Sequence, residues 1–173
     1  MADPITGFLE WFEEHGGIIH PSVDIARSDA GLFLQIDSTS QGIDVDSVII
    51  FCPPQLLISF QQVQRSSALG ALLRQEHLSE ELQTRALIFF LIEQQLLGVD
   101  SFWWPYLQLL PQPGNHRAPN VPFYFDEEDF TWLDNTYLGK ATEVRRNLWK
   151  DNYEAGLSLL VTSAPEFASR CSL

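Results

Sequence analysis

Apolar residues recur at Ile5, Phe8, Leu9 and Phe12, the three- and four-residue spacing of one helical face. Asp3 supplies an N-cap, Pro4 suits the first turn, and Gly16-Gly17 ends the helix. The pattern then changes period. Ser22–Ile25, Gly31–Ile36 and Ser47–Cys52 predict three short strands, with STSQG at 38–42 turning between the last two. Pro53-Pro54 stops the third strand, because proline cannot donate to a ladder.

From Leu57 onward the pattern is helical. Ser79, followed by Glu80 and Glu81, caps a strong helix over Leu82–Leu97. Its stretch RALIFFLIE is apolar nearly all round, which predicts burial. Gly98 closes it, and Ser101 caps a short helix, FWWPYLQLL, that ends at Pro111. Residues 111–122 hold four of the ten prolines and predict a loop. Asp126 caps a further short helix through Leu133. A last long helix runs from about Lys140 to Val161, with Val144, Leu148, Ala155 and Leu159 on one side. The fold class is therefore α+β. Residues 1–60 form a small β-unit preceded by a helix, 61–162 a mainly helical region, and 163–173 an irregular tail.

Composition narrows the function. The chain of 173 residues carries 23 acidic and 10 basic side chains, a net charge of −13, and 45% of its residues are hydrophobic. That content argues for a folded chain. The charge argues against phosphate-backbone binding, since only Arg145-Arg146 forms a basic pair. Residues 1–64 hold nine acids and one base, Arg27. Such a field suits a protein partner with a basic segment better than nucleic acid or an anionic membrane, and it also serves solubility alone. The acidic N-terminus lacks the basic and apolar regions of a secretory signal, and the longest apolar run, Ala86–Ile92, is too short for a bilayer. The expectation is an intracellular protein.

Taken singly, the residues offer little chemistry, and they assign neither a catalytic residue nor a metal site. His15 and His20 lie five apart near a helix end with no evident third ligand, which favours solvated or capping roles. The acids Asp126–Asp129 sit at an expected helix N-terminus, where the dipole favours them; cation binding is the alternative. Cys52 falls in an apolar strand and is read as an inert core residue, and Cys52 and Cys171 imply no disulfide framework. Trp103, Trp104 and Tyr106 are read as core packing, with a peptide groove as the alternative.

The order of the pieces says more. FLEWFEEHGG, a strand pair around DAGLFLQID, and VIIFCPPQLLIS together resemble the start of SET-domain proteins of the Rubisco and ribosomal-protein lysine methyltransferase type. LIFFLIEQQLLGVDSFWWPYLQLLP resembles a signature of that family. Glu93, Gly98, Ser101, Trp104, Pro105, Tyr106, Leu110 and Pro111 stand in the matching order, with Trp104 one place late. FDEEDFTWLDNTYL resembles a further family segment through Leu133, Thr136 and Leu138. The resemblance covers about residues 5–160. It makes 1–60 the N-terminal part of a SET-like β domain and 61–162 the helical insertion of that domain.

The resemblance implies S-adenosylmethionine as cofactor and methyl transfer to a lysine of a protein, or to histidine in some members. In-line transfer needs a neutral amine aligned with the methyl sulfonium. At the cofactor turn, where the family has G-x-G-L, this chain reads D-A-G-L. Asp29 replaces the first glycine, so Gly31 and Leu32 alone carry over as cofactor-binding positions. The family's N-H-S motif and Y-G strand follow the insertion, whereas SAPEFASRCSL contains neither. Asn115-His116 with Pro119-Asn120 is a superficial echo of the first, lacking its serine and placed where the family has a linker. The expectation is a truncated SET-type methyltransferase, inactive as the isolated chain. The alternative is a non-catalytic interaction module derived from that family.

Overall fold

Asp3 begins the first helix as the sequence predicts, its side chain accepting a hydrogen bond from the Ile5 amide at 3.4 Å. The computed structural model describes residues 3–28, 31–37, 39–40, 42–66, 68–70, 73, 79–110 and 121–171. Helix α1 spans Pro4–Glu14 and buries Trp11 and Phe12. Phe8 stacks on Phe12 with ring centroids 5.6 Å apart and lies 6.5 Å from the Tyr106 ring. The helix ends where Gly16 adopts φ +84°, a conformation glycine enters without a Cβ penalty.

Among the described residues four strands follow, in two separate antiparallel pairs. Strand β1 (Ile18–Ile19) pairs with β4 (Ile50–Phe51), Ile18 opposite Phe51. Strands β2 (Val23–Ser28) and β3 (Gly31–Ile36) form a hairpin running from Val23 opposite Ile36 to Ser28 opposite Gly31. The sequence located β3 correctly. It placed β2 too early, made β4 six residues instead of two, and missed β1. The pairing of β1 with β4 joins positions over 30 apart, and period-2 patterning within one segment cannot reveal such a match.

The remaining elements are helices. They are α2 (Phe60–Val63), α3 (Glu80–Leu97), α4 (Trp104–Leu107), α5 (Glu127–Phe130), α6 (Tyr137–Ser163) and α7 (Pro165–Cys171). Ser79 caps α3 through Leu82 N at 3.3 Å, as expected. The expected helix FWWPYLQLL shrinks to α4. Leu109 and Leu110 bond back to Tyr106 and Leu107, three residues away, so the chain tightens instead of continuing an α-helix. Asp126 caps α5, and a 3₁₀ turn at Thr131–Leu133 takes the place of its second half. The segment after 163, expected to be irregular, is helical from Pro165 to Cys171 and buries Phe167, Ala168 and Cys171. Proline at the first helical position favours this start, an effect too local to show in the periodicity.

The chain divides into two compact units. The first is Met1–Leu57 with Pro105–Tyr124; the second is Ile58–Trp104 with Phe125–Leu173. The second holds a core of Val63, Leu69, Leu73, Phe89 and Leu160, all nearly inaccessible to solvent. In it α3 packs on α6, and α6 on α7. The first is thinner: Ile18, Leu32, Phe33, Leu34, Ile36, Ile50 and Phe51, on its strands, remain exposed.

Candidate functional site

The β2–β3 hairpin positions the two residues expected to hold a cofactor. Gly31 is paired with Ser28 at the closing end of the ladder and has φ +121°. An L-residue rarely adopts that backbone angle, so the position requires glycine. A Cβ added there would meet no atom within 4 Å, leaving open space beside the main chain. Leu32 follows, opposite Arg27, with its side chain partly exposed. A bare backbone with an adjacent apolar side chain leaves room for a small ligand to approach the main chain closely. Asp29 and the Asn115, His116, Pro119 and Asn120 group lie outside the described residues.

A second arrangement lies in the helical unit and is polar where its surroundings are apolar. Glu93 on α3 is only 6% exposed. Its Oε2 accepts from Ser66 Oγ at 2.6 Å, and its Oε1 from the Ala68 amide at 3.1 Å. Gln94 beside it accepts from Ser101 Oγ at 2.8 Å, and that Oγ accepts from the Trp103 amide at 3.1 Å. These bonds replace the water that a buried carboxylate loses. The network walls a cleft of about 290 Å³ lined also by Gln62, Arg65, Phe90 and Phe102. Glu93 and Ser101 were singled out by the motif; Ser66 and Gln94 were missed. A carboxylate in an otherwise apolar helix is a hint that polar partners exist, but it does not say which.

The other flagged residues play structural parts. His15 Nδ1 donates to the Trp11 carbonyl at 2.7 Å, closing α1, and His20 Nδ1 accepts from the Ser22 amide at 3.1 Å. Asp126 Oδ1 accepts from the Asp129 amide at 2.8 Å, the capping geometry expected of that acidic run. Cys52 lies just past β4 and is half-buried, not a core residue, because β4 is short and exposed. Trp103 is buried, in keeping with the packing role, while Tyr106 lies against Phe8. Gly98 has φ +57° and closes α3. Thr136 Oγ1 donates to the Leu133 carbonyl at 2.7 Å and accepts from the Gly139 amide at 3.0 Å, fixing the start of α6. The motif positions Glu93, Gly98, Ser101, Leu133 and Thr136 thus sit at joints of the helical unit; Pro111 lies outside the described residues. Among those residues no helix is long and apolar enough to cross a membrane.

Comparison with known proteins supports the resemblance read from the sequence. The chain is 28% identical to the ribosomal lysine N-methyltransferase set10 of Schizosaccharomyces pombe, over 91% of this chain and 30% of that protein. It is 25% identical to the actin-histidine N-methyltransferase of Homo sapiens, over 78% of this chain and 21% of that protein. Two solved structures of the Rubisco methyltransferase LSMT share the fold. One, bound to sinefungin and monomethyllysine, gives a TM-score of 0.72 at 20% identity, over 98% of this chain and 37% of the other. The second, bound to AdoMet, gives 0.70 at 23% identity, over 99% and 36%. No protein-family model matches the chain. The chain resembles SET-type protein methyltransferases, shares the α+β fold of the matching part of Rubisco LSMT, and spans less than a third of the curated relatives' length.

Proposed function

We propose that these 173 residues form the cofactor-binding β-unit and the helical insertion of a SET-type, S-adenosylmethionine-dependent protein methyltransferase. The observation that carries this reading is Gly31, held at φ +121° with open space at its missing Cβ, in a hairpin that falls within the fold shared with Rubisco LSMT. Gly31 would admit the cofactor to the backbone, and Leu32 would cover part of its apolar surface. When bound, the cofactor supplies an electrophilic methyl on sulfonium. The hairpin's own task is to orient that group and limit water around it. The net charge of −13 suits a protein substrate presenting a basic segment.

Turnover is not expected of these 173 residues alone, because they carry no N-H-S motif. Calorimetric titration with S-adenosylmethionine tests the reading. Saturable binding in about the micromolar range, weakened at least about tenfold in Gly31→Val, supports it; a folded chain that takes up no heat overturns it. A second reading, a non-catalytic interaction module, is favoured by the exposed strands. It predicts partner capture that does not change when the cofactor is added.

A further inference from the structure

Helix α6 is apolar on two sides. On one side it buries Gly139, Thr142, Gly156 and Leu160, with Gly139 against Leu133 and Gly156 against Phe89 of α3. At about 100° per residue, Tyr137, Ala141, Val144 and Leu148 share a stripe on the side away from those residues. This is the face the sequence singled out through Val144 and Leu148, yet it lies in solvent: Tyr137 is 89% exposed, Val144 69% and Leu148 58%. The spacing of four, three and four residues is that of a helix–helix seam, about 16 Å long. Asp151 ends it, one turn beyond Leu148.

The charge around the stripe indicates the occupant. Residues 137–150 hold four basic side chains and a single acid, Glu143, in a protein of net charge −13; of the four, Lys150 pairs with Glu154 at 3.9 Å off the stripe. Lys140 and Arg145, both exposed, fall on opposite flanks of the stripe. Arg146 points elsewhere, donating to the Phe125 carbonyl at 2.5 Å with its guanidinium 4.5 Å over the Phe130 ring. A second copy docked stripe to stripe would bring positive flanks together. An apolar helix edged with carboxylates meets both the seam and its flanks. We propose that the Tyr137–Leu148 face of α6 is a docking surface for an acidic amphipathic helix of a protein partner.

The test uses the full chain and a fluorescein-labelled three-heptad peptide with leucine along its seam and glutamate on both flanks. A second peptide carries lysine on the flanks, and a third is a scrambled acidic control. Fluorescence anisotropy is expected to show saturable binding of the first alone, weakening as salt rises. Leu148→Asp should weaken it at least about tenfold while leaving the circular dichroism and melting temperature unchanged, because the side chain is exposed. Lys140→Glu with Arg145→Glu should transfer binding to the lysine-flanked peptide. Equal binding of the scrambled peptide, no binding at all, or an affinity that Leu148→Asp leaves intact overturns the proposal. So does sedimentation of the chain as a dimer that Leu148→Asp dissociates.

Discussion

Ser66 Oγ donates to Glu93 Oε2 at 2.6 Å, tying the segment after α2 to the C-terminal third of α3 across 27 positions. The same hydroxyl accepts from the Leu69 amide at 3.0 Å, so one side chain both shapes the local turn and satisfies a buried carboxylate. A hydrogen bond to a charged group is worth roughly 1.5–3 kcal/mol, and orphaning its partner adds desolvation. Ser66→Ala is expected to destabilise the chain by about 2 kcal/mol, and Glu93→Ala by about 3 kcal/mol. Urea unfolding followed by circular dichroism measures both. Values under about 0.5 kcal/mol would mean that the network does not hold the helical unit together.

Gly156 lies against the ring of Phe89, where a Cβ would collide with the aromatic carbons. Phe89 is buried and stacks on Tyr153 with centroids 5.5 Å apart, so it has little freedom to retreat. Overpacking of this kind costs roughly 1–3 kcal/mol. Gly156→Ala should therefore lower the melting temperature even though alanine is the better helix former. Phe89→Leu added to Gly156→Ala should recover part of the loss. A neutral or stabilising Gly156→Ala would show that α3 and α6 are not in close contact at this point.

The Tyr153 hydroxyl donates to the Cys171 carbonyl, joining α6 to α7. Burial pushes both the Tyr153 phenol and the Cys171 thiol above their usual values, and in each case the folded state prefers the neutral, protonated form. Stability from these groups is complete below their unfolded values and is lost as pH rises through the raised folded values. Melting temperature should be flat near neutrality and begin to fall above about pH 9. Tyr153→Phe should reduce stability throughout by about 1 kcal/mol and flatten the alkaline slope. At pH 8 a thiol reagent should modify half-buried Cys52 well before buried Cys171. Equal labelling rates would argue that α7 detaches readily.

What the sequence revealed depended on how local the cause was. Asp3, Ser79 and Asp126 act within three residues, and each caps the helix expected of it. Thr136 caps α6 equally well, yet the helix was expected to start near Lys140, because the periodic residues begin only after the cap. Val144 and Leu148 do share a face, but periodicity records which residues lie together and not which way they point; here they face water. The strands were least legible, since β1 and β4 exist only through each other. Gly31 was singled out by the motif as a site residue, while its φ of +121° had to come from the structure. Ser66 gave no warning, because nothing near it in sequence announces Glu93.

The hairpin that carries Gly31 should be the softest ordered part of the molecule. Strand β3 exposes Leu32, Phe33, Leu34 and Ile36, and among the described residues its ladder partner is β2. A two-stranded ribbon is marginal by itself, because few buried contacts offset the entropy of ordering it. Local opening is then cheaper than global unfolding. Amides of Val23–Ser28 and Gly31–Ile36 are expected to exchange with deuterium at least about a hundredfold faster than those at the centre of α3. If the hairpin holds the cofactor, saturating S-adenosylmethionine should slow exchange there and leave α3 unchanged, and Gly31→Val should abolish the slowing. Hairpin amides as protected as those of α3 without ligand would mean that the exposed strands are held by something other than their own pairing. Protection appearing only in α3 would move the cofactor site to the helical unit.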